Sequence, residues 1–359
     1  MTGEQGARAE VILVVGDANA DLGATLDRFP REGGDEPMRG LTWGSGGSAA
    51  NVATGLALLG AQARLVARVG ADPAAEVALA AARAAGVDLE AVQRDGALPT
   101  GLCFAAVSPG GERTFFSYRG ANAALAPPDA EDVEDVWRDV AWLHVGGHAL
   151  LEGRQREATL GLIAEARRRG ALVSLDLCPP VLRAWPRTLR ELGPRLAVLF
   201  ANELEMEAIA ASSDAASADA APADAARAAP GRDPLETALA ALSGWGVPLV
   251  AAKLGARGSL LVGPGAARRA LPPCPVEACD TTCAGDAYVA GFLFALLRGA
   301  SPEAAGRLGN AMGALATTRP GAAAALPTRA DLFRFLTTHD AASAADDPAR
   351  LLAPTEYFQ

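Results

Sequence analysis

Short apolar runs alternate with segments of helical period along most of this chain. Val11-Ile12-Leu13-Val14-Val15 is apolar throughout and closes on the polar stretch Gly16 to Asp21, the pattern of a parallel strand buried on both faces. Further strands are expected at 64–69, 140–145, 172–177, 196–200 and 249–254, with helices at 73–85 and 155–169. Such alternation predicts an α/β fold, a mainly parallel sheet with helices on both faces. Val289, Phe292, Leu293 and Leu296 recur at i, i+3, i+4 and i+7, which predicts a buried helix stopped by Gly299. A second small-residue helix is expected over 310–319. Two stretches, 22–43 and 98–118, depart from this texture. The latter reads as a β-hairpin turning at 108–113, and together they predict a small sheet apart from the core. The Ala/Asp/Ser/Pro tract 212–233 has no apolar period and is expected to be a mobile surface insertion.

Composition narrows the chemistry. A net charge of −10 and a pI near 5.0 leave no cationic footprint for nucleic acid or an anionic membrane. No stretch approaches the ~20 apolar residues of a membrane helix. Lys253 is the single lysine, and no Gly-x-x-x-x-Gly-Lys-Ser/Thr loop occurs. Cys103, Cys178, Cys274, Cys279 and Cys283 are odd in number and lack a Cys-x-x-Cys pair, which fits a reduced cytoplasm better than a disulfide framework or a zinc site.

The buried helix begins at Cys283-Ala284-Gly285-Asp286. Small residues at a helix start leave backbone N–H groups open to an anion. Asp286 then has two readings: it compensates the helix dipole, or it takes a proton from a hydroxyl while the neighbouring amides hold a phosphoryl group. Asn202 and Glu205, one turn apart at a strand end, read either as a helix cap or as a pair holding magnesium through its water shell. Asn19, Asp21 and Asp176 lie at strand ends, where ligands of parallel sheets bind. The turn Lys253-Leu254-Gly255-Ala256-Arg257-Gly258 suits a nucleotide or a plain hairpin. Gly44, Gly46 and Ala49, with Asp72 beyond them, satisfy a dinucleotide fingerprint, although residues 36–43 are not the buried strand that motif requires. His144 and His148 flank Gly146-Gly147 and read as a strand exit rather than a metal pair.

Six segments in order, Gly-Asp-Ala-Asn-Ala-Asp (16–21), Gly-Gly-Ser-Ala-Ala-Asn (46–51), Gly-Ala-Asn-Ala-Ala-Leu (120–125), Asn-Glu-Leu-Glu (202–205), Lys-Leu-Gly-Ala-Arg-Gly (253–258) and Asp-Thr-Thr-Cys-Ala-Gly-Asp (280–286), give the chain its resemblance to the ribokinase-like (PfkB) carbohydrate kinases. The resemblance spans about residues 11–336. It implies a three-layer α/β/α fold with a β-sheet lid from 22–43 and 98–118. The kinase domain is assigned to 1–351, and 352–359 form a tail that looks partly like a protease-site remnant.

By the same resemblance, Asn19, Asp21, Gly46, Gly47 and Asn51 are expected to contact the sugar. Asn202, Lys253, Gly255, Gly258 and Asn310 are expected at the nucleotide, and Glu205 at magnesium through water. Cys283, Ala284 and Gly285 would form the anion hole, with Asp286 as base, and Asp280 and Thr282 fall where many members bind potassium. The implied reaction is phosphoryl transfer from ATP to a sugar, the alternatives being a nucleoside acceptor or, more distantly, a dinucleotide-dependent oxidoreductase. A homodimer paired through the lid is a further expectation. Cys283 departs from the usual Gly or Ala, and its thiol is expected to expose the site to oxidation.

Overall fold

A parallel strand covered by helices must bury both faces, and strand β1, Val11–Val15, contains no polar side chain. Ile12 and Val14 enter one core, Leu13 and Val15 the other. The computed structural model describes residues 10–108, 110, 113–215, 233–339 and 351–352. The other strands are, in chain order, β2 (Asn19–Leu26), β3 (Met38–Gly46), β4 (Gln62–Val66), β5 (Arg68–Gly70), β6 (Gln93–Asp95), β7 (Gly101–Val107), β8 (Arg113–Tyr118), β9 (Val140–Gly146), β10 (Leu172–Asp176), β11 (Val198–Asn202), β12 (Val250–Lys253), β13 (Ser259–Val262) and β14 (Arg268–Leu271).

Eight of them build the large sheet, in the order β14-β13-β12-β11-β10-β9-β1-β4. From β12 to β4 all pairings are parallel, whereas β13 and β14 add an antiparallel edge. The chain leaves β1 toward β4 on one side and later returns to β9 on the other. This reversal opens a crevice beyond the carboxyl ends of β1 and β9, where α/β sheets bind ligands. Helices Ser48–Leu58, Pro73–Ala85, Ala284–Leu297, Pro302–Ala316 and Arg329–His339 contribute to one core. Helices Gly153–Arg169, Pro179–Ala184, Pro186–Leu192, Glu203–Ala215 and Pro234–Gly244 cover the opposite face.

A second, four-stranded sheet has the order β3-β2-β7-β8. It corresponds to the two segments expected at 22–43 and 98–118, but it begins earlier. The polar stretch expected as a turn after β1 opens β2 at Asn19, and β3 runs on to Gly46, so the small sheet is rooted at the crevice itself. One of its faces exposes Leu41, Trp43, Phe116 and Tyr118, while Phe115 is exposed on the other, the face that carries Asp21 and Cys103.

Other boundaries also moved. The strand expected at 64–69 breaks at Ala67 into β4 and β5. The helix expected at 310–319 starts at Pro302, because Ser301 accepts from the Ala304 N–H and proline suits the first helical position. The tract expected as an insertion over 212–233 is helical through Ala215, and its last residue, Asp233, caps the next helix. Residues 216–232 and 353–359 of the expected insertion and tail lie outside the described residues.

The helix Ala284–Leu297 is buried without a break from Ala287 to Ala295, so it has no single apolar stripe and stands inside the protein. A Cβ on Gly309 would come within 3.0 Å of the Tyr288 ring and carbonyl, so glycine there lets the helix Pro302–Ala316 approach closely. Phe292 meets Phe200 of β11 edge-on at 5.2 Å between ring centroids. Because this packing carries the Asp286 helix, Phe292→Ala should lower unfolding free energy by about 3–5 kcal/mol. Urea denaturation measures it, and a loss below about 1 kcal/mol would mean that the helix is not held through this contact.

Candidate active site

Two helix starts meet at the crevice. Cys283 precedes the helix Ala284–Leu297 with φ 66°, a left-handed conformation that non-glycine residues adopt rarely and at a cost. The backbone turn lays Ala284, Gly285 and Asp286 at the helix entrance, where the first N–H groups lack intrahelical acceptors. Of these, the Ala284 N–H makes a long bond, 3.3 Å, to the Thr281 carbonyl.

Asp286 reaches across to the start of the helix Ser48–Leu58. Its Oδ1 accepts from the Ser48 hydroxyl at 2.7 Å and its Oδ2 from the Asn51 amide at 2.8 Å. Both oxygens are thus committed to another helix, which dipole compensation alone does not require. Burial raises the Asp286 pKa from its ordinary value, while Asn51, Ser48, Lys253 and Cys283 oppose the rise. The Cys283 thiol lies half-buried beside this carboxylate, and desolvation together with that charge holds its pKa well above normal. The raised pKa disfavours the thiolate, the reactive form, and so argues against the expected oxidation sensitivity.

Asn19, Asp21, Gly46, Gly47 and Asn51 come together beside Asp286. Gly46 pairs with Asn19 across the β2–β3 ladder, and a Cβ on it would overlap the Asp21 carboxylate. Asp21 Oδ1 and Asn51 Oδ1 are buried and have no hydrogen-bond partner. Burial and then the Asp286 charge push the Asp21 pKa up to about 7. Asn19 is fixed by Asn122, whose amide donates to Asn19 Oδ1 at 2.8 Å and whose own Oδ1 accepts from the Ala18 N–H.

On the other side of Gly285, a cavity of about 410 Å³ is bordered by Lys253, Gly255, Gly258, Tyr288 and Asn310. Its size and largely apolar wall suit a small flat ligand. Asn310 also donates to the Pro272 carbonyl at 2.9 Å, tying the wall to the end of β14. Lys253 Nζ lies 2.6 Å from Asp176 Oδ1 and 3.4 Å from where a Gly285 Cβ would stand. Burial pushes Asp176 up to about 6 against the pull of Lys253. It pushes Glu205 up to about 7 in the same way.

Asn202 and Glu205 form a reciprocal cap: Glu205 Oε2 accepts from the Asn202 N–H at 2.7 Å, and Asn202 Oδ1 from the Glu205 N–H at 2.9 Å. Asp280 and Thr282 face a guanidinium. Arg113 Nη2 is 2.8 Å from Asp280 Oδ1, and Arg113 Nη1 donates to Thr282 Oγ1 at 2.7 Å. Burial works against ionisation of Asp280, but the Gly321 and Thr282 N–H groups and Arg113 outweigh it and lower its pKa. Among the described residues no group of three or more His, Cys, Asp and Glu is arranged to hold a metal directly.

The dinucleotide reading fails on geometry. Gly44 and Gly46 belong to β3 of the small sheet, and Asp72 caps the helix Pro73–Ala85 and bonds Thr100. His144 is buried within β9 against Ser174, as a strand-exit reading requires. Sequence reasoning gave no role to Ser48, Asn122 or Arg113. Ser48 and Asn122 sit inside two of the quoted segments, but a serine or asparagine beside glycine reads as turn chemistry until its partner is known.

At the switch-point crevice a carboxylate thus lies between two helix starts, next to a cavity of about 410 Å³. The chain belongs to the pfkB family of carbohydrate kinases, whose family model matches residues 9–329. It is 30% identical over 325 residues to the ATP-dependent ribose-1-phosphate kinase of Halopiger xanaduensis, covering 90% of this chain and 97% of that protein. It is 32% identical over 306 residues to a fructokinase of Klebsiella pneumoniae, covering 81% of this chain and 91% of that one. The crystal structure of ribokinase from Thermotoga maritima superposes with a TM-score of 0.75 at 28% identity, over 91% of this chain and 99% of that chain.

Asp21 supplies a test of the site's electrostatics. Because its folded pKa lies near 7 and its ordinary value at 3.8, folding takes up a proton between those values. Its contribution to stability is present at low pH and is lost as pH rises through 7. Asp21→Asn should therefore stabilise the protein relative to the parent by on the order of 4 kcal/mol more at pH 8 than at pH 4. Paired urea titrations give the difference, and a gain independent of pH would show that Asp21 is not held protonated by its surroundings.

Proposed function

We propose that this carbohydrate kinase transfers the γ-phosphate of ATP to a hydroxyl of a small sugar, with Asp286 as the base. The observation that carries the reading is the pair of buried, unpartnered acceptors, Asp21 Oδ1 and Asn51 Oδ1, beside a carboxylate with a raised pKa. Buried acceptors without donors are costly, and a polyhydroxy compound supplies O–H donors to both. Asn19, Gly46 and Gly47 complete this acceptor side, Gly46 by leaving room for Asp21. One sugar hydroxyl would lie against Asp286, which removes its proton as the oxygen attacks phosphorus in line with the leaving ADP.

The N–H groups of Cys283, Ala284 and Gly285 would hold the transferring phosphoryl, aided by the helix dipole. Lys253, anchored by Asp176, adds a fixed positive charge beside Gly285. Gly255, Gly258 and Asn310 border the cavity assigned to the nucleotide, with Asn202 on the neighbouring strand end. Asp176, Glu205 and Asp286 all act on the Lys253 charge, three carboxylates around one ammonium. That acidic surplus fits a magnesium ion held mainly through its waters, with Glu205 orienting them. The chemistry such an ion would supply, with Glu205 orienting its waters, is neutralisation of the charge on the phosphates of ATP.

No described helix is long and apolar enough to cross a membrane. The described cysteines Cys103, Cys178, Cys274, Cys279 and Cys283 are all free thiols, which supports a cytoplasmic setting. The exposed aromatic face of the small sheet supports pairing of two copies through it.

ADP release should be measured across ribose, fructose, ribose 1-phosphate, adenosine and inosine. Turnover with a sugar in preference to the nucleosides is the expected result, and a nucleoside turned over best would replace the sugar reading. With the best acceptor, Asp286→Asn should lower kcat roughly 100-fold or more while both affinities stay within a few-fold. Near-parental turnover by the folded variant would remove Asp286 from the chemistry.

A further inference from the structure

The small sheet touches the site at both of its ends. At one end Asn19 and Asp21 enter β2, and at the other Arg113 opens β8, opposite Val107 in the hairpin. Although 169 residues separate it from Thr282 in sequence, Arg113 places two guanidinium nitrogens on the loop that leads into the Asp286 helix. Its side chain is 24% exposed and that of Asp280 10%, so the bond is partly shielded from water and stronger than a surface pair.

Asp280 is the hub of that loop. Its Oδ1 accepts from the Thr282 N–H at 2.8 Å and its Oδ2 from the Gly321 N–H at 2.9 Å, while its own N–H donates to the Thr317 carbonyl. The next residue after Thr282 is Cys283, whose left-handed backbone must be held in place by its surroundings. Over much of the hairpin, by contrast, apolar packing is thin, since Phe115, Phe116 and Tyr118 are each more than half exposed. A planar guanidinium is suited to this place because it bonds a carboxylate and a hydroxyl at once, which an ammonium on a flexible stem does poorly.

We propose that Arg113 is a positioning residue that couples closure of the small sheet over the acceptor to the set of the 280–286 loop. It serves as a built-in cation between Asp280 and Thr282. The catalytic part of this statement rests on the kinase reading above, but the mechanical part does not. When the sheet lies down, Arg113 fixes the loop that presents the helix-start amides. When it lifts, Asp280 loses that partner and the loop loosens.

Two measurements on Arg113→Ala and Arg113→Lys test it. Hydrogen exchange without any substrate should quicken about fivefold or more in Arg113→Ala, both in the 113–118 strand and in the 281–286 loop. Kinetics should show an acceptor KM raised about tenfold and a kcat lowered about tenfold, with the KM for ATP changed less than about threefold. Millimolar guanidinium should restore part of the kcat of Arg113→Ala, and Arg113→Lys should fall between the two proteins. Exchange confined to the strand, or unchanged in both segments, would overturn the coupling even if the protein proves an active kinase. Quickened exchange in both segments of a protein inactive on every sugar would keep the coupling and discard the kinase reading. Loss of the circular-dichroism melt in Arg113→Ala would transfer the test to Arg113→Lys, in which parental exchange and kinetics would overturn the proposal.

Discussion

Everything around the crevice depends on keeping one carboxylate, Asp286, half-buried yet able to ionise. Burial alone would neutralise it. The structure answers with donors from a second helix: Ser48 and Asn51 occupy its two oxygens, and Lys253 lies close enough to oppose the rise in pKa. As the proposed base it is suited to near-neutral pH, because its proton affinity is raised without being locked. The requirement also fixes the fold locally. Helices Ser48–Leu58 and Ala284–Leu297 must converge at their amino ends, and the latter must be buried on all sides to hold its position.

The same economy extends to the neighbours. Asp21 and Asp286 are close enough to raise each other's cost of ionisation, so the Asp21 side carries at most a partial extra charge near neutrality. On the side of the 410 Å³ cavity Lys253 is surrounded by Asp176 and Glu205, and stays charged because of them. The site is thus divided into an acidic, donor-seeking half and a half built around one buried cation, with the amides of the 283–286 turn between them.

Much of this was legible in the chain, and the limits were physical. Val11–Val15 announced a doubly buried strand because no polar residue interrupts it. Asp286 stood out because small residues precede it at a helix start. The order of six short segments identified the family although each segment alone fits an ordinary turn or cap; Asn202 and Glu205 show that a cap is indeed what their side chains form. What stayed hidden was every contact between distant residues. Ser48 with Asp286, Asn122 with Asn19 and Arg113 with Asp280 are long-range pairs that no local period encodes. The start of the helix Pro302–Ala316 was different: Ser301-Pro302 is a cap signal written in the sequence and overlooked behind the run of small residues that follows.

The central claim is that hydrogen bonds from the Ser48–Leu58 helix tune the carboxylate proposed as the base. It is tested most directly by the pH dependence of kcat in Ser48→Ala. Removing a donor from the charged form should raise the Asp286 pKa further, so the acidic limb of the profile should move up by about one pH unit while the alkaline limb stays. An acidic limb that stays in place, or moves down, would contradict the account.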